Sequence, residues 1–190
     1  MRERILAETI RLFVQRGYHG VSMREIAQAC GVTKAALYYH FADKSDLLWA
    51  ILNRHLQEVA EIVAGCDMAQ PINVRSQIEK LIDGLLHLPF EQRALVRLGT
   101  QEVANLDVEK RQAFVALYEE KFIGRIVQIF QEGVQSGELR AVDARVATWT
   151  LLGMLYPFFS PSAVLRSREA EAQMAAQMLM IFFDGVRNEL

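Results

Sequence analysis

The sequence predicts an all-α protein of about nine helices, a three-helix N-terminal head followed by a larger helical domain. Three observations carry that expectation. Apolar residues recur at three- and four-residue spacing along nearly the whole chain. Helix-starting and helix-stopping residues punctuate that pattern at regular intervals. A composition of 52% hydrophobic and 23% charged residues is that of a soluble globular chain and argues against disorder.

The first helix follows from Ile5, Leu6, Thr9, Ile10, Leu12 and Phe13, which draw one apolar stripe that Gly17 terminates. Ser22-Met23-Arg24-Glu25 then forms a capping box, in which the Ser22 hydroxyl and the Glu25 carboxylate satisfy free amides of the first turn. A second helix therefore runs to Cys30. Gly31 stops it, Val32 anchors the turn, and Thr33 caps a third helix beginning at Lys34. Helix, short glycine turn, helix is the helix-turn-helix arrangement, whose second member lies in the DNA major groove.

A fourth helix is expected over 44 to about 64 on Leu47, Leu48, Ile51, Leu52, Leu56 and Val59, ending near Gly65. Met68 to Pro71 reads as a loop, with helices over 73–87 and 91–105 after it. From Val108 a stripe through Phe114, Leu117, Tyr118, Phe122, Ile126, Ile129 and Phe130 predicts one long helix up to Gly137. The last two helices are expected over 143–158 and 167–188, separated by a loop containing Pro161.

Several function classes drop out. The longest apolar run is broken by Pro157 and Pro161, and the N-terminus is charged from its second residue, so neither a membrane span nor a secretory signal is expected and the location is cytoplasmic. Cys30 and Cys66 are too few for a metal site or a disulfide framework; they read as small hydrophobes, with a redox thiol as the alternative. His19, His40, His55 and His87 are scattered, and no acid pair, activated nucleophile or phosphate loop accompanies them. No enzymatic activity, cofactor or metal is expected. The net charge of −2 divides unevenly, since residues 1–48 carry seven Arg or Lys against five Asp or Glu. That excess is a weak pull toward a polyanion.

On a helical wheel of the third helix, Leu37 and Phe41 face inward and Ala35 and Tyr39 point the opposite way, with Ala36, Tyr38 and His40 on the flanks. Small residues allow close approach to the groove floor, while Lys34, Tyr38, Tyr39 and His40 offer donors to phosphates and base edges. Lys44, opening the fourth helix, is within reach of a phosphate. The alternative is that both tyrosines pack half-buried with their hydroxyls in water.

The order of these residues is more specific than their composition. Residues 2–48, with "LFVQRGYHGVSMREIA" followed by "GVTKAALYYHFADKSDLL", resemble the N-terminal DNA-binding domain of the tetracycline-repressor (TetR) family of bacterial transcriptional regulators. The resemblance implies a DNA-binding domain over 1–48 and an effector-binding and dimerisation domain over 49–190. It also implies DNA contacts from Ser22, Arg24 and Thr33, and from Lys34, Ala35, Ala36, Tyr38, Tyr39 and His40 of the recognition helix, with Lys44 on a phosphate. Arg24 is the candidate for a guanine contact. The expected function is that of a repressor binding a palindromic operator as a dimer and released by a small apolar or amphipathic effector, such as an acyl or aromatic compound or its coenzyme A thioester. The rival reading is a helical protein-interaction module that keeps the helix-turn-helix shape without binding DNA.

For the effector, Tyr118, Phe122, Trp149, Met154 and Tyr156 are candidate apolar walls, and Arg97, Gln101 and Asn105, aligned at four-residue spacing, are candidate polar anchors. Arg97 can equally pair with an acid on the surface. The final two helices are apolar on more than one face. Thr150, Gly153, Met174, Met178, Ile181 and Phe182 are candidates for a four-helix bundle between two copies, the alternative being intramolecular core.

Overall fold

The computed structural model describes residues 1–65, 73–160 and 165–186. Cys66, the expected loop from Met68 to Pro71, Pro161 and the end of the last helix at Asn188 lie outside the described residues.

The head is built from α1 (Arg2–Arg16), α2 (Met23–Ala29) and α3 (Lys34–His40). Their ends are set by the residues that the sequence nominates. Gly17 and Gly31 take positive φ, 73° and 62°, at the two stops, a conformation that glycine adopts without a Cβ clash. At α2 both arms of the capping box form, and at α3 the Thr33 hydroxyl accepts the Ala36 amide at 3.1 Å. The head closes over Ile5, Phe13, Ile26, Leu37, Phe41 and Leu47, all buried.

From the head, α4 (Lys44–Gly65) runs into the body. The body adds α5 (Val74–His87), α6 (Phe90–Glu102), α7 (Val108–Tyr118), α8 (Gly124–Gln135), α9 (Ala144–Leu155) and α10 (Arg168–Val186), of which α5, α6 and α7 pack against α4. Helices α7 and α8 are continuous through a π-helical turn at Glu119–Ile123, so the expected long helix exists with a bulge in it. Helix α9 tightens into a 3₁₀ turn at Tyr156–Phe159, where Pro157 interrupts the α-helical hydrogen bonding. A second core, including Ile78, Ile126, Phe130, Leu151, Phe158 and Phe182, fills the body.

The two cores meet at α6. Leu95, Leu98 and, just beyond the helix, Leu106 pack into the head's core rather than the body's. Lys110 of α7 also bridges Asp46 on the first turn of α4 and its own neighbour Asp107. These contacts seat the head directly on the elements that carry the body's cavity.

Candidate nucleic-acid interface and ligand cavity

The outward face of α3 matches the wheel. Leu37 is fully buried, whereas Lys34, Ala35, Tyr38 and Tyr39 are exposed, Tyr39 at 87%. Ala36 and His40 are intermediate. The Lys34 ammonium lies 5.5 Å from the Tyr38 ring centre, and Tyr39 meets the His40 imidazole edge-on at 5.3 Å. The result is a short surface, small at its N-terminal end and aromatic and basic beyond. Arg24 is exposed on α2 and makes no hydrogen bond or ion pair among the described residues.

Ser22 and Thr33 hold the interface in shape. Ser22 Oγ donates to Glu25 Oε2 at 2.6 Å, and Arg16 Nη2 donates to both Glu25 Oε1 at 2.7 Å and the Gly20 carbonyl at 2.6 Å. The Ser22 hydroxyl and the Arg16 guanidinium together hold the Glu25 carboxyl down at about 2.

Lys44 departs from the expected phosphate hook. Its ammonium is half-buried, donates to the carbonyls of Tyr18 and Val21 at 2.8 and 2.9 Å, and stands 4.2 Å from the Tyr18 ring centre. Burial pushes its pKa down. The residue ties α4 to the turn between α1 and α2, because two carbonyls there have no helical partner and Lys44 is the donor within reach.

In the body, α4, α6, α7 and α9 enclose a cavity of about 580 Å³. Tyr118, Phe122, Trp149 and Tyr156 line it as expected, together with Leu56, Leu85, Phe114 and Phe159. Met154 does not line it and packs half-buried against the body core. Arg97, Gln101 and Asn105 are also absent from the walls. Arg97 Nη1 donates to Gln101 Oε1 at 3.0 Å, and Asn105 Nδ2 to Glu102 Oε2 at 2.7 Å. Helix α6 uses two arcs for apolar contacts, Leu98 toward the head and Val96 and Gly99 toward the cavity, with Leu95 touching both. Only the remaining arc is left for its polar side chains.

A buried polar group that does line the cavity is His55, one of the four scattered histidines to which the sequence assigns no role. It is 7% exposed, and neither ring nitrogen has a hydrogen-bond partner among the described residues. Burial alone lowers its pKa to about 4, so the ring is neutral at physiological pH. The signal for it was present: Ile51, His55 and Val59 recur every four residues on the buried stripe of α4.

Of the expected interface residues on the last helices, Thr150 and Ile181 are exposed, Ile181 at 63%, and Met174 and Met178 are half-buried. Gly153 is exposed and borders the cavity. Phe182 is instead part of the monomer's own core, with its ring 5.6 Å from Phe130 and 5.3 Å from Phe183. An outward apolar face remains on Val146 and Trp149 of α9 and Met180 and Ile181 of α10.

A helix-turn-helix head with a solvent-facing recognition helix, seated on a helical body around an apolar cavity, is the architecture of a DNA-binding transcriptional regulator. Comparison with known proteins makes the class specific. The family described as "Bacterial regulatory proteins, tetR family" matches residues 5–51, and "Tetracyclin repressor-like, C-terminal domain" matches 72–159. The crystal structure of AibR in complex with isovaleryl coenzyme A and operator DNA is 31% identical, covering 95% of this chain and 96% of that one with a TM-score of 0.79. The TetR-family regulator PfmR from Thermus thermophilus is 26% identical over 94% of this chain and 97% of that one, with a TM-score of 0.78. The HTH-type transcriptional regulator YvaF of Bacillus subtilis (strain 168) is 23% identical, covering 98% of this chain and 95% of its own. The chain belongs to the TetR family of bacterial transcriptional regulators. Among its described residues no helix is long and apolar enough to cross a membrane.

Proposed function

We propose that the protein is a cytoplasmic, non-enzymatic repressor that binds an inverted-repeat operator as a homodimer and is released when a small apolar or amphipathic effector enters the body cavity. In this reading the division at residue 48 separates the DNA-binding part from the effector-binding part. Lys34, Ala35, Ala36, Tyr38, Tyr39, His40 and Arg24 meet DNA, while Ser22, Thr33 and Lys44 hold them in place. Val146, Trp149, Thr150, Met180 and Ile181 face the second copy. Two recognition helices related by a two-fold axis fit half-sites roughly 34–36 Å apart, or a multiple of that.

The observation that carries the proposal is the sharing of walls between cavity and head. Leu52 and Leu95 line the cavity and belong to the head's core, and Phe114 packs against both cores. An occupant that shifts α4 or α6 therefore shifts the seat of the recognition helix. AibR was crystallised with an acyl coenzyme A. An acyl or aromatic group suits the apolar walls here, and the phosphates of a coenzyme A thioester would stay outside, because no Lys or Arg among the described residues lines the cavity.

Selection of bound duplexes from a random DNA pool tests this. An enriched inverted repeat, bound by two chains with strong salt dependence, is the expected result. A folded protein that enriches no sequence would favour the protein-interaction reading.

A further inference from the structure

Inside the cavity the chemistry is lopsided. Its walls are aliphatic and aromatic, and His55 is a wholly buried polar group among them with both nitrogens unpaired. The other polar lining groups are differently placed. Thr100 Oγ donates to the Arg97 carbonyl of its own helix at 2.9 Å, and Trp149 and Tyr156 stand at the rim, 47% and 44% exposed. Tyr118 is half-buried beside Phe114 and Phe122, and burial holds its phenol protonated, with its pKa pushed up to about 12.

A buried polar group without a partner is costly, so a natural sequence that keeps one in a cavity wall points to a partner that arrives from outside. Leucine, with comparable bulk and no polar atoms, would pack there at no such cost. We infer that His55 is the hydrogen-bonding anchor of the effector, and that it selects a neutral, largely apolar molecule carrying a carbonyl or hydroxyl oxygen. This rests on the cavity being the effector site. The neutral imidazole supplies one N–H donor and one acceptor nitrogen, which suit a ketone, ester, thioester or alcohol. A carboxylate is disfavoured, because it would enter an apolar enclosure that no cation among the described residues lines.

The test uses three probes of one shape: 2-acetylnaphthalene, 2-ethylnaphthalene and 2-naphthoate, titrated into the full-length protein at pH 7.5 by calorimetry. The wild type should bind the ketone and the hydrocarbon and bind the carboxylate weakest. In His55→Leu the ratio of ketone to hydrocarbon affinity should fall about tenfold, the hydrocarbon binding as well as before. His55→Gln, which keeps a donor and an acceptor, should restore much of the ratio, a rescue that a purely structural role for His55 does not explain. If both neutral probes bind and the ratio is the same in wild type and His55→Leu, the anchor role is overturned while the cavity stands. If neither neutral probe binds the wild type, the cavity reading falls and the anchor falls with it. Tightest binding by 2-naphthoate would overturn the assigned ligand class.

Discussion

Replacing His55 by leucine should make the protein more stable, and more so as the solution is acidified. At pH 7.5 the variant removes a buried imidazole with two unsatisfied nitrogens, whose cost is roughly 1–3 kcal/mol. Acid adds a second contribution. The unfolded chain takes up a proton on His55 near 6.5 and the folded chain only near 4, so the unfolded state binds more protons between those values and stability falls as pH drops through that window. From pH 7.5 to 4.5 the loss from this one group is roughly 2–3 kcal/mol, or roughly 5–10 °C in melting temperature for a chain of this length. His55→Leu abolishes that loss. Burial is the cause of the His55 shift, and no charged side chain contributes to it. Glu25 acts in a lower window, its stabilisation being lost between 4.5 and about 2, equally in both proteins. Urea titrations of wild type and variant at pH 7.5, 6.0 and 4.5 measure the difference directly. Equal losses of stability in the two proteins would show that His55 titrates like a solvated histidine and would refute the reasoning.

Five further substitutions separate roles that lie close together in the sequence. Tyr39→Ala should weaken operator binding at least severalfold and leave melting unchanged, because the ring is 87% exposed; a large drop in melting temperature would return Tyr39 to the core. Arg24→Ala should relax base preference at one operator position by about 1–3 kcal/mol, read from binding to single-base operator variants. Lys44→Met should lower thermal stability by roughly 1–3 kcal/mol through two orphaned carbonyls; unchanged melting with a salt dependence reduced by about one charge would mark it as a phosphate contact instead. On α10, Ile181→Glu should yield folded monomers by sedimentation, while the adjacent Phe182→Ala should destabilise the fold by about 3–5 kcal/mol.

The head was legible in the sequence because its information is local. Ser22 with Glu25, Gly31 and Thr33 each fix the backbone within a few residues, and about half a turn of the wheel separates Leu37 from Tyr39. The body was less legible because its information is spatial. Helix α6 is apolar toward both the head and the cavity, so the alignment of Arg97, Gln101 and Asn105 identified a face without saying that it turned away. On α10 the stripe is wide enough that Phe182 and Ile181, about 100° apart, read alike until packing assigned one to the core and the other to the surface. The π turn at Glu119–Ile123 adds a register shift inside an uninterrupted helical pattern. His55 carried a signal, a histidine on a buried stripe, but its meaning required the cavity beside it.

The coupling of cavity to head is the central claim, and it can be tested without knowing the effector. A side chain built at Gly99 starts in ordinary contact with Leu52 at 3.5 Å and Phe114 at 3.6 Å, and extends into the cavity. Gly99→Leu therefore imitates an occupant while improving helix propensity. The measurement is the affinity of this variant for the selected operator, by fluorescence anisotropy, alongside its melting temperature. A folded dimer whose operator affinity falls about tenfold, a coupling of about 1.4 kcal/mol, is the expected result. A folded dimer with a filled cavity and unchanged operator affinity would contradict the claim.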